Sequence, residues 1–252
     1  MNRLLVVWIL SFCLSGCLES SDSGPGNKMA FGFGKQRNDK PLMFADVKSV
    51  FSDVGTQSLA KAVQEGDIAR IKKLIADGVD VNAAGENGMT ALFFGLRNYD
   101  GFRVLLEYGA NPNVVTDDGQ SVLHWAVRAK DDRFISLALR LKGDPNLVAG
   151  QFGNTLLHEA ASPEGKDKVT LLLDHGADIN AQRYDGDTPM LRAAGLGQYD
   201  VVYELLVRGA DPRVKNHNGF DLMGVIDLRK HRMDPQNELT KWMWKVIEFL
   251  GS

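Results

Sequence analysis

The feature that most constrains this chain is a period. Turn-type pairs ending in glycine recur at Asn87-Gly88, Asp118-Gly119, Asp185-Gly186 and Asn218-Gly219, with Phe152-Gly153 filling the gap, so the glycines stand 31, 34, 33 and 33 residues apart. A second marker keeps step: Gly78-Val79-Asp80-Val81-Asn82, Gly109-Ala110-Asn111-Pro112-Asn113, Gly143-Asp144-Pro145-Asn146, Gly176-Ala177-Asp178-Ile179-Asn180 and Gly209-Ala210-Asp211-Pro212. Two independent markers locked to one period require a structure made by stacking one small unit on the next. Each unit can bury its apolar face only against its neighbours.

The chemistry inside the period is consistent. The turn glycine supplies the positive φ of a tight hairpin. Two residues later comes a hydroxyl, Thr90, Ser121, Thr155 or Thr188, placed to accept a backbone N–H at the start of a helix. Pro189 follows Thr188 at the first helical position, where its missing N–H is no loss. Small residues (Ala126, Ala160-Ala161, Ala193-Ala194) then allow close helix approach. The apolar pairs Leu105-Leu106, Leu172-Leu173 and Leu205-Leu206 mark a second helix, which Gly78, Gly109, Gly176 and Gly209 end as left-handed caps.

Thr155-Leu156-Leu157-His158-Glu159-Ala160-Ala161 and Thr188-Pro189-Met190-Leu191-Arg192-Ala193-Ala194 resemble the Thr-Pro-Leu-His-x-Ala-Ala motif of ankyrin repeats, and the resemblance covers roughly Gln57 to Arg213. It implies an all-α ankyrin-repeat solenoid of about five repeats with short β-hairpin turns and a capping helix at each end. The second repeat is two residues short between its helices (Arg97 to Gly101), and the third has Lys142-Gly143 where Gly-Ala is usual. The resemblance also implies that His124 and His158 are structural, each bonding its own repeat's turn. For the caps, Met43, Phe44, Val47, Val50, Phe51 and Val54 fall on one helical face at one end. Leu239, Trp242, Met243, Val246, Ile247 and Leu250 do so at the other. Trp244 and Phe249 lie off that stripe, either as exposed partner contacts or, the preferred reading, as a widening of its buried face.

The N-terminus reads as an address. Arg3 precedes an apolar run from Leu4 to Leu14, then Ser15-Gly16-Cys17, the layout of a secretory signal and too short to span a bilayer comfortably. Leu14-Ser15-Gly16-Cys17 resembles the bacterial lipobox, which implies cleavage before Cys17 and acylation of its thiol. Residues 1–16 are then the lipoprotein signal, 17–40 a Ser-, Gly- and charge-rich flexible tether, and 41–252 the repeat domain with its caps. Leu18 rather than Asp after the cysteine favours the outer membrane of a Gram-negative bacterium, with the domain in the periplasm. Gly32-Phe33-Gly34-Lys35 lacks the hydroxyl and the preceding strand of a phosphate loop and reads as linker.

Composition narrows the function classes. With 29 basic and 32 acidic residues, nothing calls for nucleic acid. Cys13 and Cys17 are the only cysteines, too few for a disulfide scaffold or a zinc site, and His175, His217 and His231 lack ligand spacing. No nucleophile elbow, zinc-protease pair or P-loop is present, so the chain reads as a non-enzyme without cofactor, metal or small-molecule substrate. Recognition remains. By register, the surface of hairpin tips and first helices takes the two residues before each turn glycine, the one after it, and free first-helix positions. From that rule come Glu86, Asn87 and Met89; Asp117, Asp118, Gln120, Trp125 and Arg128; Gln151, Phe152 and Asn154; Tyr184, Asp185, Asp187 and Arg192; and His217 with Phe220. Trp125, Phe152, Tyr184 and Arg192 are the expected anchors, because aromatic and Arg side chains dominate protein contacts.

The whole chain resembles ankyrin lipoproteins that act as immunity proteins against type VI secretion lipase effectors. The resemblance rests on the lipobox, the short repeat Gly88-Met89-Thr90-Ala91-Leu92-Phe93-Phe94, and Gly195-Leu196-Gly197-Gln198-Tyr199-Asp200-Val201-Val202-Tyr203. It implies a stoichiometric inhibitor of a phospholipase, held at the membrane through Cys17. The alternative is a general periplasmic ankyrin scaffold or adaptor supporting an envelope or stress-response protein.

Overall fold

A computed structural model describes residues 46–163, 165–230 and 237–251. The signal, Cys17, the tether, Met43, Phe44 and His231 lie outside the described residues. Within them run thirteen α-helices: α1 (Val47–Val50), α2 (Val54–Glu65), α3 (Ile68–Ala76), α4 (Ala91–Gly95), α5 (Tyr99–Glu107), α6 (Val122–Arg128), α7 (Arg133–Arg140), α8 (Leu156–Ala160), α9 (Lys166–Asp174), α10 (Pro189–Leu196), α11 (Tyr199–Val207), α12 (Leu222–Lys230) and α13 (Glu238–Gly251). After α1 they pair in order from α2 with α3 to α10 with α11, each pair one repeat, and α12 and α13 follow, packed on α10 and α11. No strand forms among the described residues, and the hairpins are single antiparallel bridges, Val115 with Ser121 and Ala149 with Asn154.

Backbone demands that recur in every unit produce the period. Gly88, Gly119, Gly153, Gly186 and Gly219 all have positive φ, as do Gly78, Gly109, Gly176 and Gly209 at the helix ends. Lys142 takes the same conformation in the third repeat (φ 69°), where Gly143 cannot be replaced because a Cβ would press on the Ala138 carbonyl. The Gly-x-Asp-x-Asn marker is a clamp. Asp144 Oδ1 accepts the Asn146 N–H within its loop, while Asn146 donates to Gly176 O at 3.1 Å and accepts from Asp178 N at 2.7 Å in the next loop. Asn82 and Asn113 do the same, and Asn180 accepts from Asp211 N. The hairpin tips form a second ladder: Asp117 N–H to Asn87 O, Gly150 to Gly119, Tyr184 to Phe152, and His217 to Asp185, at 2.9–3.0 Å.

First helices pack on first helices and second on second, around one continuous core that includes Leu59, Phe93, Phe102, Leu123, Ile135, Leu156, Leu172, Leu205 and Ile226. The short second repeat runs α4 into α5 through Asn98, whose side chain accepts from Asp100 and Gly101 N–H. Here α5 lies so close to α2 that a Cβ on Gly101 would run into the Val63 carbonyl.

Three expectations need correction. The N-terminal cap is not one helix through Val54: Asp53 accepts the Thr56 N–H at 2.7 Å and starts α2 afresh, leaving Phe51 extended and Val54 73% exposed. Trp244 does not widen the C-terminal stripe. Helix α13 packs on α11 and buries only Thr240, Met243 and Val246, so Trp244 is 58% exposed and Phe249 reaches Tyr203 edge-on from the surface. The capping hydroxyls also differ. Ser121 and Thr188 accept from Leu123 and Leu191 N–H, but the Thr90 hydroxyl is buried without a partner among the described residues, and Thr155 forms a capping box with His158, its hydroxyl 2.8 Å from Nδ1.

Candidate functional site

The hairpin tips and the first helices α6, α8 and α10 form one face. Its arrangement begins with how each hairpin closes. Gly85 donates to Met89 O, Thr116 to Gln120 O, Ala149 to Asn154 O, Arg183 to Asp187 O and Asn216 to Phe220 O, at 2.7–3.1 Å. The residue after each turn glycine is thus the closing member of its hairpin, and the chain there is already turning inward. Met89 is completely buried and Asn154 nearly so, which removes both from the expected contact surface. Gln120 and Asp187 are half-buried, and only Phe220 stays exposed.

The two histidines do not serve only their own turns. His124 Nε2 lies 2.9 Å from Asn154 O, and His158 Nε2 lies 3.0 Å from Asp187 O, in each case the hairpin of the following repeat. Since a carbonyl only accepts, both rings carry their proton on Nε2. His158 Nδ1 then accepts from Thr155 N, so its own turn is served as well, whereas His124 Nδ1 is buried without a partner among the described residues. Burial pushes both imidazoles below the ordinary histidine value, a trend that the Asn154 and Asp187 carbonyls oppose.

The remaining predicted residues do share the face. Phe152 (51% exposed) and Tyr184 (69%) stand at adjacent tips, and the Tyr184 ring lies against Gly153, as His217 lies against Gly186. Asp117 and Asp118 are exposed beside them. Four residues after the helix-starting hydroxyl, the three first helices present Trp125, Glu159 and Arg192. Trp125 Nε1 donates to Gln120 Oε1 at 3.0 Å, with the Arg128 guanidinium 5.4 Å from its ring. Arg128 pairs with Glu159 at 2.9 Å, and Asn154 Nδ2 donates to the other Glu159 oxygen at 2.7 Å. Burial would raise the Glu159 carboxyl, but Arg128 and Asn154 outweigh it and hold the group below its ordinary value.

Arg183 pairs with Asp185 and Asp187 at 2.7 and 2.8 Å and stands 5.6 Å from the Phe152 ring. Glu159 and Arg183 belong to this site, and the register rule passed over both. Glu159 shares the register of Trp125 and Arg192. Arg183 sits three residues before its turn glycine, one beyond the positions the rule took.

These side chains hold one another in place before anything binds, which limits the ordering cost of association. Among the described residues no group of three or more His, Cys, Asp or Glu is placed to hold a metal ion. The arrangement is that of a rigid, aromatic- and arginine-bearing face on a helix-pair solenoid, a binding surface of the protein–protein class.

The sequence profile described as "Ankyrin repeats (3 copies)" matches residues 59–147 and 123–216, and the chain belongs to that family. It is 30% identical over 160 residues to the mouse B-cell lymphoma 3 protein homolog, covering 61% of this chain but only 36% of that protein, so it spans about a third of that relative's length. Among solved structures it is similar to an ankyrin repeat domain from Acinetobacter baumannii (25% identity, TM-score 0.65, covering 74% of this chain and 95% of that one). It is also similar to a chain in the complex of the predatory endopeptidase Bd0816 of Bdellovibrio bacteriovorus with the immunity protein Bd3460 (26% identity, TM-score 0.62, covering 73% and 97%). The family is one of protein-binding repeats, and no catalytic family is indicated.

Proposed function

We propose that this chain is an immunity-type inhibitor, anchored by an acylated Cys17 to the periplasmic side of the outer membrane, whose hairpin and first-helix face docks on a secreted hydrolase and blocks its active site. The observation that carries this reading is the pre-set face of repeats three to five: Phe152 and Tyr184 exposed at adjacent tips above Trp125, Arg128 and Arg192. Large aromatic and Arg side chains in a central, rigid position are what dominate tight protein contacts. The presence of an immunity protein in the structurally similar Bdellovibrio complex supports an inhibitory role over a general scaffold.

A phospholipase of a type VI secretion system is the preferred target. Anchoring would concentrate the inhibitor at the surface where that enzyme meets lipid. The second reading is an endopeptidase target, favoured by the enzyme in that same complex.

The test is capture of the protein from detergent-solubilised envelopes, identification of what co-purifies, and assay of the captured enzyme on phospholipid vesicles and on peptides. One stoichiometric hydrolase silenced by this protein supports inhibition, and its substrate decides between the two readings. Several substoichiometric envelope proteins without a hydrolase overturn it in favour of a scaffold. Trp125→Ala and Phe152→Ala should each weaken that complex by at least about 2 kcal/mol, measured by calorimetry.

A further inference from the structure

The face holds three arginines, and they are not equivalent. Arg128 is committed to Glu159 and to the Trp125 ring, and Arg183 to Asp185, Asp187 and the Phe152 ring. Arg192 has neither an acid nor a ring among the described residues, and its Nε is buried with no acceptor. The carboxylates whose charges reach it are Glu159 and Asp187, and both oxygens of each are already bonded to other groups. Glu159 gives one oxygen to Arg128 and the other to Asn154; Asp187 gives one to Arg183 and the other to Asn216.

A guanidinium that is half-buried, with its Nε–H withdrawn from water and given no acceptor, is a standing cost that folded proteins rarely keep without use. Burial accordingly holds Arg192 below the ordinary arginine value, with Arg183 and Arg128 acting in the same direction.

We propose that Arg192 is the receptor for one carboxylate, an Asp or Glu side chain presented by the bound protein partner. This rests on the binding reading above and specifies the partner's chemistry: an acidic side chain near the middle of its contact surface. A single planar carboxylate matches one unpaired guanidinium fork. A phosphate dianion would face Glu159 and Asp187 with only one uncommitted arginine to balance it.

The first measurement follows the Nε–Hε resonance of Arg192 in the full chain, labelled with nitrogen-15 arginine and assigned by its loss in Arg192→Lys. The probes are acetyl-Gly-Glu-Gly-amide, its Gln counterpart and inorganic phosphate, at matched ionic strength. A saturable shift with the Glu peptide alone is the expected result. No shift, an equal shift with the Gln peptide, or tighter binding of phosphate overturns the proposal. This readout needs no captured enzyme, so it stands or falls separately from the inhibitor reading.

Where an enzyme is captured, Arg192→Met should weaken its binding by about 30-fold or more while the unfolding temperature of the variant holds or rises, because an unsatisfied donor is removed. Unchanged affinity overturns the proposal. A lowered unfolding temperature with unchanged affinity assigns Arg192 to the fold instead.

Discussion

The second repeat and the three that follow share one backbone frame but use the same face in opposite ways. In the second repeat, the first-helix position that carries Trp125, Glu159 and Arg192 elsewhere is Phe94, completely buried with the Phe51 ring 5.9 Å away. The extended segment around Phe51 also lies on that repeat's hairpin, where a Cβ on Gly85 would meet the Val50 carbonyl and the Phe51 ring. The face there is consumed by the chain's own N-terminal segment.

In repeats three to five it is open, and the hairpins are held differently. His124 and His158 tie the hairpins of the fourth and fifth repeats to the repeat before each, and at the same register the second repeat has Phe93 and the fifth has Leu191. A directional hydrogen bond can fix a tip while leaving its side chains in solvent. The cover at Phe51, rather than the force that holds each hairpin, therefore separates surface already used from surface that can bind.

The largest effect should come from removing the cover. Phe51→Ala empties a buried aromatic site and should cost about 3–5 kcal/mol in urea unfolding. A loss too small to resolve would mean that the cover is incidental and the two regions are alike. Next, His158→Ala strands the Thr155 N–H and removes one of the two bonds to the Asp187 carbonyl and should cost about 2 kcal/mol, with His124→Ala, whose Nδ1 has no partner among the described residues, costing less. Equal losses would break the distinction between a two-sided and a one-sided clamp.

The same histidines set a pH dependence. Their folded values lie below that of the unfolded chain, near 6.5, so the folded state binds fewer protons in acid. Their contribution is complete above about pH 6.5 and is lost as pH falls below it. The unfolding temperature should therefore drop on mild acidification, and drop less in a His124→Gln, His158→Gln variant, as calorimetry at several pH values would show.

Asn146→Ala removes one exposed inter-repeat clamp and should cost about 1 kcal/mol, close to the cost of Asn113→Ala, because that edge is built alike in both repeats. The smallest effect has the opposite sign. Lys142→Gly relieves a positive φ and should stabilise by about 0.5–1 kcal/mol in the same assay.

Much of this was legible in the residues. The turn glycines and the Gly-x-Asp-x-Asn marker are local backbone demands, so each repeat states them again, and the ladder of asparagines follows the marker step for step. The side chains at the tips Phe152, Tyr184, Asp117 and Asp118 were also placed, because the two positions before a hairpin glycine project outward. Met89 and Asn154 were not, because hairpin closure turns the next residue toward the helices, and a register rule counts positions without knowing their direction. The break at Phe51 and the exposed Trp244 were hidden for a related reason. An apolar stripe says that a face can be buried, but not how wide its partner is.

By itself, the sequence determined the period, the repeat family and the inter-repeat clamps, because each depends on residues within one unit or at the same place in the next. Only the tertiary structure decided which part of the face stays open, which acids are already bonded to other groups, and that Arg192 is left unpaired among the described residues. Those outcomes depend on side chains about 30 residues apart competing for the same few hydrogen-bonding atoms, a competition that no single repeat contains.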